Sequence, residues 1–72
     1  MTQFTYTQES FYTIRKYVDG FAKLDIGEFE NHEDALTALL EIAGGIPLMN
    51  LNLEFEEDGE NFLYVIFHKL KY

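Results

Sequence analysis

Few side chains in this chain could do covalent chemistry: one serine, Ser10, two histidines, His32 and His68, no cysteine, and thirteen carboxylates. A nucleophile–base pair would have to join Ser10 to one of the histidines. No Gly-x-Ser-x-Gly elbow frames that serine, so it reads as an ordinary loop or strand-edge residue. The run Asn31-His32-Glu33-Asp34 offers three metal-ligand types in four residues. Neighbours on a helix point in different directions, however, whereas zinc wants about four converging ligands, so a solvated helix cap is the better reading. His68 reads as a surface histidine. Two carboxylates could act as an acid–base pair, but a chain this small has little room for the water-excluding cleft that raises a carboxyl pKa. The glycines stand in Asp-Gly, Ile-Gly-Glu and Gly-Gly, none of which forms a phosphate loop. The expectation is a non-enzyme with no catalytic residue, no cofactor and no metal.

Charge is the stronger signal. Between Leu24 and His68 there is no lysine or arginine, yet eleven carboxylates lie there: Asp25, Glu28, Glu30, Glu33, Asp34, Glu41, Glu54, Glu56, Glu57, Asp58 and Glu60. The five basic residues are Arg15, Lys16, Lys23, Lys69 and Lys71, and the net charge is −8. Such a field disfavours direct binding to nucleic acid or to anionic membranes and favours basic partners.

The elements that must carry these charges follow from patterning. Seventy-two residues suit a single domain spanning 1–72, with seven Phe and five Tyr to supply core area. The lack of cysteine fits a reducing cytoplasm. No basic segment followed by an apolar run opens the chain, which argues against a secretory signal, and no apolar stretch approaches the length of a membrane span. The first strand runs from Phe11 to Val18, Asp19-Gly20 turns, and Phe21 to Phe29 returns. A two-residue loop sets Ile14 against Asp25. A three-residue loop over Val18 to Gly20 pairs Tyr12 with Ile26 and Ile14 with Leu24, and its coherent apolar face favours it. Gly27 marks a bulge that turns Phe29 toward the core.

Asn31 caps a helix with Glu33 and Asp34 in its first turn, and Gly44-Gly45 with Pro47 ends it. Leu36, Leu39 and Leu40 should meet Ile14, Leu24, Ile26, Leu51, Leu53 and Val65 in the core. Met49, Leu51, Leu53 and Phe55 alternate with Asn50, Asn52, Glu54 and Glu56 as a third strand. Asp58-Gly59 turns into a fourth strand, Asn61 to about Lys71. That strand is apolar on both faces, hence central in the sheet or covered twice. Its two registers are both open; a three-residue loop, with Leu63, Val65 and Phe67 inward, is favoured because it leaves the Tyr64 hydroxyl and His68 in water. Met1 to Ser10 either extends the first strand or forms a separate edge strand. The fold class expected is α+β, in ββαββ order, with a four-stranded antiparallel sheet and one helix across one face.

In that register the open face carries Phe62, Tyr64 and Ile66 beside Asn50, Asn52 and Glu54, rimmed by Glu56, Glu57, Asp58 and Glu60. Aromatic anchors inside a charged rim are the anatomy of a protein interface. These ten residues form the candidate partner-binding site, and a homodimer packed through the same face is the alternative.

Two resemblances bear on this reading. Tyr12-Thr-Ile-Arg-Lys-Tyr-Val-Asp-Gly, Gly27-Glu-Phe and Asn31-His-Glu-Asp-Ala-Leu together resemble the strand–turn–strand–helix pattern of integrase arm-binding and plant ethylene-response DNA-binding domains. The likeness covers less than half the chain. It implies hairpin-plus-helix geometry; its DNA-binding implication is opposed here by the carboxylates that surround Arg15, Lys16 and Lys23. In size and charge the chain is also similar to small acidic phage inhibitors of host defence, including some anti-CRISPR proteins. That similarity implies a non-enzymatic cytoplasmic inhibitor that occludes the basic, nucleic-acid-binding groove of a target protein.

Overall fold

A computed structural model describes residues 9–71. The elements are β1 (Glu9–Val18), β2 (Phe21–Phe29), α1 (His32–Ala43), β3 (Leu53–Glu57) and β4 (Glu60–Lys71). They form a four-stranded antiparallel sheet in the order β2-β1-β4-β3 with the helix on one face, the expected ββαββ architecture. β1 and β4 lie side by side at the centre, paired from Glu9 opposite Lys71 to Val18 opposite Phe62. A central position explains why β4 is apolar on both sides. Residues 1–8, including Phe4 and Tyr6, lie outside the described residues, while Glu9 and Ser10 extend β1.

Both hairpins close with two-residue turns, not the three-residue loops that apolar patterning favoured. Asp19 and Gly20 have φ of 50° and 86°, and Asp58 and Gly59 have 52° and 80°. Positive φ at both central residues makes the type I′ turn, whose twist matches that of the flanking strands, and Asp-Gly is among its preferred sequences. In the first hairpin the coherent apolar face is recovered by a different device. Val18 pairs with Phe21 and Tyr17 with Ala22, then Lys23 is left over, so that Lys16 meets Leu24 and Ile14 meets Ile26. One extra residue restores the phase that the tight turn would have lost. A second irregularity places Gly27 and Glu28 opposite Thr13, and Tyr12 then pairs with Phe29. Gly27 has φ 70°, the Thr13 hydroxyl lies 2.7 Å from its carbonyl oxygen, and Phe29 packs on the core as anticipated.

The second hairpin has no compensating bulge. Leu53 pairs with Tyr64 and Phe55 with Phe62, so Phe62, Tyr64 and Ile66 turn toward the helix side, and Leu63, Val65 and Phe67 toward the open side. This reverses the favoured register. Inward Tyr64 needs no buried partner for its hydroxyl because the residue is only half-buried, with its ring stacked on Phe55.

Helix α1 begins where expected. The Asn31 side-chain oxygen accepts from the Asp34 amide at 2.9 Å, and Gly44, left-handed at φ 57°, donates its amide to the Leu40 carbonyl. Its buried stripe is Ala35, Leu39 and Ala43, four residues apart. The core is Ile14, Leu39, Ala43 and Leu53, with Ile26, Phe29, Ala38, Leu48, Phe55, Tyr64 and Ile66 around it. Leu40 lies off this stripe and is 52% exposed, and Leu24 and Leu51 are exposed as well, so these three leave the expected core. Val65 leaves it because it faces the other side of the sheet.

The anticipated alternation from Met49 onward holds only from Leu53. Met49 and Asn52 exchange both backbone hydrogen bonds, at 2.8 and 2.9 Å, around Asn50 and Leu51, whose φ values are 52° and 62°. Asparagine tolerates that region; leucine there costs roughly 1–2 kcal/mol. Leu51→Gly should therefore stabilise the protein by about 0.5–1 kcal/mol, measured as a raised urea midpoint at unchanged slope. A lowered midpoint would mean that the Leu51 side chain contributes more than its strain costs.

Candidate functional site

With the register known, the ten expected site residues divide between the two faces of the sheet. Glu54 and Glu56 lie on the open face, opposite Leu63 and Asn61 of β4. Glu57, Asp58 and Glu60 make up the hairpin tip. Phe62, Tyr64 and Ile66 lie on the helix side, where Phe55 stacks on Phe62 at 5.1 Å and on Tyr64 at 6.2 Å between ring centroids. Asn50 is exposed in the tight turn, and Asn52 is half-buried in its bridge to Met49. Glu54 and Glu56 are thus separated from the aromatic anchors expected beside them by the thickness of the sheet, while Glu57 and Glu60 share the parity of Phe55 and Phe62 at the hairpin end.

Leu63, Val65 and Phe67 take the anchors' place on the open face, with Tyr17, Thr13 and Arg15 beside them on β1. An ion-paired group crosses this face: Arg15 Nε donates to Asp25 Oδ1 at 2.7 Å, its second nitrogen to Oδ2 at 3.2 Å, and Lys69 Nζ reaches Oδ2 at 3.2 Å. The Arg15 guanidinium also lies 4.2 Å from the Phe67 ring centroid. A depression beside this group is lined by Phe11, Thr13, Asp25, Gly27, Glu28 and Lys69. Nothing in the local sequence links residues 15, 25 and 69. They meet because β1 pairs with β2 on one side and β4 on the other.

The Arg15 hydrogen bond holds the Asp25 carboxyl down at about 2; partial desolvation works against it, and Lys69 adds to it. A folded-state pKa below the unfolded one means stability that is present above about pH 4 and lost as the pH falls toward 2. Asp25 is one-third exposed, so solvent screening trims its contribution to about 1 kcal/mol. Urea midpoints followed from neutral pH downward should therefore show the wild type losing its advantage over Asp25→Asn across that window. Parallel curves would show that the pairing contributes nothing.

Ser10 has no hydrogen bond to either histidine among the described residues. Both histidines instead meet Tyr12: His68, although exposed, stacks on its ring at 4.5 Å, and His32 meets it edge-on at 5.7 Å. His68 therefore belongs to the helix-side parity, not to the outer one. Among the described residues no group of three His, Asp or Glu is arranged to hold a metal ion, and no helix is long and apolar enough to cross a membrane.

The five carboxylates Glu54, Glu56, Glu57, Asp58 and Glu60 are all exposed. Among the described residues none of them has an ion-pair partner, whereas Asp25 is paired with both Arg15 and Lys69. The acidic hairpin is legible in the sequence, and its surroundings are not. The available signal was Asp58-Gly59, which as a two-residue turn settles which side of β4 accompanies Glu54. Comparison of the chain with protein-family models, with curated proteins and with solved structures returns no match.

Proposed function

We propose that this protein is a non-enzymatic protein-binding module that occludes a basic, nucleic-acid-binding surface of a target protein, with the β3–β4 hairpin as the contacting element. The observation that carries the reading is the set of exposed, unpaired carboxylates at Glu54, Glu56, Glu57, Asp58 and Glu60 on one short hairpin. Like charges held together without counter-charge raise the local field, and a basic groove relieves it. Carboxylates would stand in for the phosphates such a groove normally holds, and displacement of counterions would add to the affinity. The similarity in size and charge to small acidic phage inhibitors of host defence, anti-CRISPR proteins among them, supports the same reading. The absence of cysteine supports action in a reducing cytoplasm.

Affinity capture from the native host, followed by titration of the captured protein's nucleic-acid binding, tests this. Binding should weaken steeply with salt. The triple variant Glu56→Lys/Glu57→Lys/Glu60→Lys should bind at least about tenfold more weakly, while Glu41→Lys on the helix should change little. A captured target that keeps its full nucleic-acid affinity when saturated with the protein would overturn occlusion. So would affinity that is flat from low to physiological salt.

A further inference from the structure

Taking the target to be basic, as proposed, we infer that it docks on the helix side of the sheet's hairpin end, with an apolar side chain on the row Phe21–Val18–Phe62–Phe55 and an arginine on Glu57 and Glu60. Val18 lies opposite Phe21 on one side and Phe62 on the other, and Phe62 lies opposite Phe55, so these four form one row across all four strands. At the spacing of strands the row is about 14 Å wide. The helix leaves its β2 end bare: Phe21 is 70% exposed, and Leu24, on the same face, is 50% exposed. Among the described residues of the sheet, the exposed large apolar side chains are Phe21, Leu24 and Leu70, and all three share the helix-side parity. On the open face Leu63, Val65 and Phe67 are each half-buried, and the Arg15 guanidinium lies over Phe67. Exposed apolar area beside charge marks a protein contact, and at the hairpin end that area is on the helix side.

Charge selects the occupant. Glu57 and Glu60 face each other one row beyond Phe55 and Phe62, on the same parity. Like charges directly opposite each other destabilise a hairpin, and among the described residues neither carboxylate has a counter-ion. An arginine relieves that repulsion, because its planar guanidinium bonds carboxylates in bidentate fashion and stacks on aromatic faces. Phe55 and Phe62, stacked at 5.1 Å, lie next to the pair and can receive its stem. The aromatic row already holds a cation from within the chain: Lys16 Nζ is 5.3 Å from the Phe62 centroid and 5.9 Å from that of Tyr64. Lys16 reaches them from β1, so the β3 end of the row, at Phe55 and Glu57, is the one left to a guest. Lys16 and Lys23 are the cations at this end of the sheet, against Asp19, Glu57, Asp58 and Glu60, so the surface is negative. Glu54 and Glu56, on the open face, have charge but no exposed large apolar side chain beside them.

A short synthetic peptide of alternating arginine and leucine, titrated into the isotope-labelled full chain, tests this through the amide shifts. The shifts should concentrate at Phe21, Phe55, Glu57, Glu60 and Phe62. Glu57→Gln/Glu60→Gln should weaken binding at least about tenfold. Glu54→Gln/Glu56→Gln removes as much charge from the other face and should weaken it only about two- to threefold, through the long-range field. Phe21→Ser, a change at an exposed position, should weaken it about threefold, and so should lysine in place of arginine in the peptide. Dispersion of the amide spectrum confirms that each variant is folded. Equal losses in the two double variants, or shifts that follow Leu63, Val65 and Phe67, would overturn the helix-side contact while leaving occlusion by the hairpin standing. No shift at about 1 mM peptide would overturn it as well. Occlusion itself falls on a different result, a saturated target that keeps its nucleic-acid affinity.

Discussion

Leu39→Ala should destabilise this protein by about 3 kcal/mol and lower its melting temperature by roughly 12–24 °C. Leu39 is fully buried and is the largest helix side chain in the core, between Ala35 and Ala43 on the stripe that meets the sheet. Those alanines are too small to close the gap, and Ile14 and Leu53 across from it are held by their strands, so the cavity persists. A protein of this size has total stability on the order of 4–11 kcal/mol, so such a loss removes much of it. Leu40→Ala is the matched control. The same atoms are deleted one residue along, from a side chain that is half exposed, and the cost should stay under about 1 kcal/mol. Thermal or urea unfolding of the two variants measures the phase of the helix directly. Equal losses would mean that the stripe runs between them, as sequence periodicity alone suggested.

Gly27→Ala should cost about 2–3 kcal/mol, far more than a methyl group added at the surface. Two effects combine. With φ at 70°, a side chain there costs about 1 kcal/mol in backbone strain. A Cβ would also sit 2.7 Å from Phe29 Cζ and 2.9 Å from Cε2, closer than carbon atoms can approach. The Phe29 ring must move, and it packs on the core and pairs with Tyr12 just before the helix begins. Gly20→Ala separates the two effects: at φ 86° it carries the strain, but nothing lies within 4 Å of its added carbon. The difference between the two variants in urea midpoint is the worth of the Phe29 contact. Indistinguishable midpoints would show that the ring relocates at no cost.

The acidic hairpin illustrates how far the sequence could be read. Glu54, Glu56, Glu57, Asp58 and Glu60 are legible as a cluster because they are near neighbours, and a strand and turn keep near neighbours together. Their surroundings are set by β4, where residues of both parities are apolar, so burial preference alone does not choose between registers. Keeping the Tyr64 hydroxyl in water argues for the three-residue loop, whereas the backbone twist favoured by Asp-Gly selects the two-residue one. A turn residue thus outweighed a polar tip that needed no burial. In the first hairpin the apolar criterion was sound but was met by a bulge at Lys23, which no local pattern marks.

What the sequence by itself determined are the features governed by contacts within a few residues. The order ββαββ, the helix from its Asn31 cap to Gly44, the bulge at Gly27 and the acidic character of the second hairpin all belong to this class. Only the tertiary structure decided the rest: β1 and β4 as central neighbours, Leu63, Val65 and Phe67 on the open face, and Arg15, Asp25 and Lys69 drawn into one ion-paired group. Those outcomes depend on which strand lies beside which. Strand neighbours join residues up to 62 positions apart, as Glu9 is from Lys71, and no local propensity specifies such a pairing.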